Sequence, residues 1–85
     1  MKALLIVDVQ NDFLPGGALP APDGNNIIPV INKLVDQFDL VVASRDWHPG
    51  ESEHFKKWPR HCIEYSDGAA YPSSLNISKI QQEFL

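Results

Sequence analysis

The chain carries a single cysteine in 85 residues, so it can form no internal disulfide. Such sparing use of thiol fits a reducing compartment and predicts a cytoplasmic protein. Positive charge is scarce as well: 7 Lys and Arg stand against 11 Asp and Glu, for a net charge of −4. With the two signs interspersed, there is no basic face for nucleic acid or an anionic membrane. Long apolar runs are missing. The longest, Ala3 to Val7, is far short of the roughly 20 residues that span a bilayer. No cleavage pattern of a secretory signal follows Met1-Lys2, and no internal repeat or low-complexity tract appears. What is present, 44% hydrophobic and 21% charged residues, is the make-up of an ordinary globular domain.

The apolar residues are ordered in a way that specifies elements. Ala3-Leu-Leu-Ile-Val7 is short, rich in β-formers and not alternating, which predicts a strand buried on both faces. Residues 9–25 are full of turn formers, Pro15-Gly16-Gly17 and Asp23-Gly24-Asn25 among them. Ile27, Ile28, Ile31, Leu34, Val35 and Phe38 recur at helical spacing, with Asn25 or Asn26 placed to cap and Pro29 in the first turn. Leu40-Val-Val-Ala43 predicts a second strand, residues 45–74 a long folded loop, and residues 80–85 a third strand. Strand, helix and strand within about 40 residues form a βαβ unit, and hence a parallel sheet. The expected class is α/β, a parallel sheet with helices on both faces. Only one helix is evident, so one face lacks cover. That cover must come from another chain, which makes self-association an expectation, or from further parts of a larger domain.

Ligands of such sheets bind beyond the carboxyl ends of the strands. Asp8 stands at the end of the first strand and Asp46 just past the second. Asp8 reads equally well as a turn-capping carboxylate. Asp46-x-His48 on an extended segment puts two ligand types on one side, and His54 and His61 follow within reach of a folded loop. An Asp/His/His set suits zinc, or iron or manganese, although loop histidines are commonly just solvated. Phe13 and Trp58 can wall a pocket for a flat polar ligand or simply fill core. Cys62 follows His61 directly, and neighbours on an extended chain point apart, so it reads as a packed structural thiol.

LLIVDVQNDFLPGGAL, ASRDWHP and WPRHC, in this order, closely resemble the amino-terminal half of the nicotinamidases among the isochorismatase-like cysteine hydrolases. The resemblance implies a three-layer α/β/α fold, of which residues 1–85 are the amino-terminal part of a single domain. It implies hydrolysis of nicotinamide to nicotinate and ammonia through a cysteine thioester, in salvage of pyridine nucleotides. Asp8 matches the catalytic acid. Asp46, His48 and His61 match the ligands of a divalent metal, most simply zinc, and His54 matches a further histidine near it. Phe13 and Trp58 match the aromatics that flank the substrate ring, and Gln10 matches a supporting residue of the first loop. The family's lysine and nucleophilic cysteine have no counterpart here; neither Lys79 nor Cys62 matches their positions. A non-catalytic metal- or ligand-binding fragment, or another hydrolase of the same family, is the alternative expectation.

Overall fold

Short parallel strands form where apolar runs meet turn-forming residues, as two do here, and a third, more polar strand adds to their edge. The computed structural model describes residues 1–85 apart from the side chain of His54. Strand β1 (Ala3–Val7) pairs with β2 (Leu40–Ser44) in parallel, from Ala3 opposite Leu40 to Val7 opposite Ser44. Strand β3 (Gln82–Phe84) joins the other edge of β2, also parallel, so the order is β1-β2-β3. The βαβ expectation and the third strand are both met.

Helix α1 (Ile27–Leu34) connects β1 to β2 and tightens into a 3-10 turn, Val35–Gln37. Pro29 sits in its first turn, where a missing N–H costs nothing. The side-chain cap expected of Asn26 is not made: its backbone is already helical, with φ −68°, and its side chain makes no capping hydrogen bond. A capping side chain needs an extended backbone beneath it. The chain instead winds in through a 3-10 turn, Gly24–Asn26, with the Asn26 N–H donating to the Asp23 carbonyl.

Ile28 and Val35 of this segment pack on Ile6, Val41 and Ala43 of the sheet, with Val9 and Leu75 completing the core. Burial on both faces, as the sequence predicts for β1, does not occur. Leu5 and Val7 are 58% and 57% exposed, because α1 is the one α-helix among the described residues and covers one face. No helix is long and apolar enough to cross a membrane.

The loop after β2 is held by its own backbone. The His48 N–H donates to the Cys62 carbonyl at 2.9 Å, and the Glu64 N–H to the His48 carbonyl at 2.7 Å. These bonds make a parallel bridge between His48 and Ile63, which closes the loop on itself and sets His48 beside His61.

Candidate metal centre

Strand β1 ends with a sharp change of backbone. Asp8 adopts φ 57°, in the left-handed region, while its N–H still donates to the Ser44 carbonyl at 2.9 Å. Asp tolerates this region better than most residues, and strain of this kind concentrates at functional sites. Burial pushes the Asp8 carboxyl above its usual range, and the nearby charge of Asp46 adds to the effect. A carboxylate raised in this way is a better proton acceptor near neutral pH than an exposed one.

Just beyond the end of β2, Asp46 faces two imidazoles. Its Oδ1 lies 2.8 Å from His48 Nε2 and its Oδ2 lies 3.2 Å from His61 Nε2. Ligand atoms from Asp46, His48 and His61 all fall within 4.8 Å of one another. His61 is 2% exposed, and its Nδ1 donates to the Pro59 carbonyl at 2.6 Å. That bond leaves the Nε2 lone pair turned toward the Asp46 carboxylate. A lone pair facing a carboxylate oxygen is favourable only with a proton or a cation between them. The donor set, one carboxylate and two imidazoles with an orienting carbonyl behind one ring, fits a borderline divalent ion. His54 has its side chain outside the described residues.

Aromatic rings close round the histidines. Phe13 lies 5.6 Å from the His61 ring. Phe55, in the same loop, sets its edge against His48 at 5.4 Å and His61 at 5.6 Å. Nothing in an aperiodic loop marks such a residue in advance. Trp58 is 51% exposed, one residue before the Pro59 that holds His61. Phe13 therefore lies against the centre, whereas Trp58 is about half exposed.

Cys62 is fully buried with φ 48°. Burial, and then the charges of Asp46, Asp12 and Asp8, push its thiol up to about 12. Thiolate is the nucleophilic form, so this cysteine is inert at neutral pH, as the sequence suggested. Two further residues surround the centre from the first loop. Gln10 bonds the backbone of Asp46, and the Asp12 carboxylate accepts from the Cys62 N–H.

Residues 2–84 match the Isochorismatase domain family. The chain belongs to that family. Among curated relatives of this isochorismatase-family chain, the nicotinamidase of Escherichia coli (strain K12) is 37% identical over 106 residues, covering 98% of this chain and 50% of the relative. The pyrazinamidase of Pyrococcus horikoshii in complex with zinc superposes with a TM-score of 0.82 at 42% identity, over 94% of this chain and 49% of that one. PnC1 from L. infantum in complex with nicotinate gives a TM-score of 0.90 at 35% identity, over 95% and 44%. The chain thus spans about half the length of the relatives it matches, and the isochorismatase-like parallel sheet expected from the sequence is the fold observed.

Proposed function

We propose that residues 1–85 are the amino-terminal part of a single isochorismatase-like hydrolase domain, supplying the proton acceptor and the metal-binding wall of a nicotinamidase site. The observation that carries this reading is the convergence of Asp46, His48 and His61 on one point, together with a strand-end Asp8 whose carboxyl is raised by burial and then by Asp46. The reaction is nicotinamide plus water to nicotinate plus ammonia. A cysteine thiolate that none of residues 1–85 supplies attacks the carboxamide carbon, ammonia leaves, and water hydrolyses the thioester. Asp8 takes the thiol proton and returns it to the departing nitrogen. Phe13, with Trp58 at the exposed side, flanks the flat ring. Asp46, His48 and His61 would hold a divalent ion, zinc in this reading, and the chemistry it would supply is that of a Lewis acid orienting the bound ring. The zinc complex of the Pyrococcus horikoshii relative and the nicotinate complex of the L. infantum relative support both assignments.

Cys62 cannot serve as the nucleophile, because its thiol is buried and raised to about 12. This favours a second reading for the 85 residues taken alone, in which they bind metal and ligand without turnover. A cytoplasmic location suits a chain whose thiol stays reduced, and the exposed Leu5 and Val7 offer a face for a second subunit. Zinc stoichiometry and ammonia release from nicotinamide, measured side by side, test the proposal. One zinc per chain, lost in Asp46→Ala, supports the metal assignment. Zinc binding unaffected by Asp46→Ala overturns it, and ammonia release from the 85 residues alone would sink the exclusion of Cys62.

A further inference from the structure

The metal-binding side chains lie on a loop whose regular structure between residues 45 and 61 is one short 3-10 turn, Glu53–Lys56, and a single backbone bridge from His48 to Ile63. A ligand set held only by such a loop is poorly placed, and poor placement weakens metal binding. Two side chains of the first loop supply what the loop lacks.

Gln10 is completely buried, and both ends of its amide are bonded to backbone. Its Oε1 accepts from the Asp46 N–H at 2.8 Å, and its Nε2 donates to the Asp46 carbonyl at 2.8 Å and to the Ala69 carbonyl at 2.9 Å. The Asp46 peptide groups are thereby gripped on both sides. Two residues on, Asp12 Oδ2 accepts from the Cys62 N–H at 2.8 Å, directly after His61, and Asp12 Oδ1 accepts from the Ala18 N–H at 3.2 Å. The space around the Asp12 carboxylate is closed by Gly68, where an added Cβ would come within 2.1 Å of Oδ2. Asn11, between the two, is itself pinned: its N–H donates to the Ala70 carbonyl and its side chain to the Asp67 carbonyl. Residues 10–12 therefore tie the segment bearing Asp46 to the segment bearing His61.

We infer that Gln10 and Asp12 are positioning residues for the metal centre: they set the separation of Asp46 from His61 without touching the ion. This inference rests on the metal reading proposed above. Outer partners of metal ligands commonly contribute about 10–100-fold in affinity, and that is the loss expected on removing either clamp.

The test compares the full chain with Gln10→Met, which keeps the shape and removes the amide, and Asp12→Asn, which keeps the shape and removes one acceptor. Zinc affinity is measured by competition with a chromogenic chelator, well below the melting temperature of each metal-free protein. The visible absorption of the cobalt(II)-substituted forms reports ligand geometry. The expected result is a 10–100-fold weaker affinity with an altered cobalt spectrum. A merely structural role would lower the metal-free melting temperature and leave affinity and spectrum at wild-type values, and that result overturns the inference. If Gln10→Met does not fold, Asp12→Asn decides by the same readouts. A wild-type chain that binds no zinc removes the metal reading itself, and the inference with it; wild-type binding with unchanged variants removes the inference alone.

Discussion

The Nδ1 of His61 donates to the Pro59 carbonyl at 2.6 Å, two residues back along the chain. Because a carbonyl only accepts, this bond fixes the tautomer and turns Nε2 toward Asp46 Oδ2, 3.2 Å away. The ring is thus oriented for a ligand role by local backbone, and the consequences can be measured.

Replacing His61 by Ala removes one of the three converging donors. Zinc affinity should fall by more than the roughly 10–100-fold typical of an outer partner. Zinc at a hundredfold excess over its dissociation constant should stabilise the wild-type protein by about 2.7 kcal/mol. Thermal melts with and without chelator should show this gap in the wild type and little of it in His61→Ala.

Asp8→Asn keeps a residue that tolerates the left-handed backbone at φ 57°. It removes a charge that burial and Asp46 both disfavour. The variant should therefore be at least as stable as the wild type at neutral pH when metal-free. If the proposed function holds, nicotinamide hydrolysis by a protein that joins these residues to the nucleophile should fall by about 10²–10⁴-fold in this variant, the usual contribution of a positioned acid–base group. Denaturant midpoints and ammonia release report the two effects separately; a marked loss of stability would contradict the account of Asp8.

Gly17 leaves no room for a side chain. A Cβ there would lie 2.4 Å from the Asn11 carbonyl oxygen and 2.5 Å from Asp12 Cα, both backbone atoms. Backbone cannot yield as a side-chain tip can, so Gly17→Ala should cost about 1–3 kcal/mol or more. Urea unfolding of the variant measures this directly.

Cys62 is buried, with its thiol pushed up to about 12 by burial first. An aromatic disulfide reagent at pH 8 should label it only after unfolding. Rapid labelling of the native protein would mean that the thiol is accessible.

Tyr71 gives the alkaline dependence. Burial, and then Glu83, raises its hydroxyl above the ordinary 10.0, with Arg45, whose guanidinium lies 4.9 Å from the ring, acting in the opposite direction. The folded chain therefore keeps a proton that the unfolded chain releases near pH 10. Its contribution to stability is present below that pH and is lost as the pH rises through the folded value. Tyr71→Phe should flatten this part of the stability–pH curve.

The sequence by itself determined the elements whose causes are local. Apolar runs ending in Asp8 and in Arg45-Asp46 produce strands because a short β-rich run has little else to form. The helical spacing from Ile27 to Phe38 produces α1 and its 3-10 continuation. Asp46-x-His48 was legible as a ligand pair because alternate residues of an extended segment share a side. His61, like His54, was legible only as lying within reach of the pair until the resemblance singled it out, since twelve residues of aperiodic loop separate it from His48.

Other features were decided by the tertiary structure alone. The side on which α1 lies left Leu5 and Val7 uncovered, which the composition of β1 does not reveal. Phe55 reaches both histidines because the loop returns on itself through the backbone bonds of His48 with Cys62 and Glu64. Gln10 meets Asp46 across 36 positions of sequence. Hydrogen bonds between distant backbone groups leave no period and no motif in a sequence. They exist only once the sheet has brought the ends of β1 and β2 to the same edge.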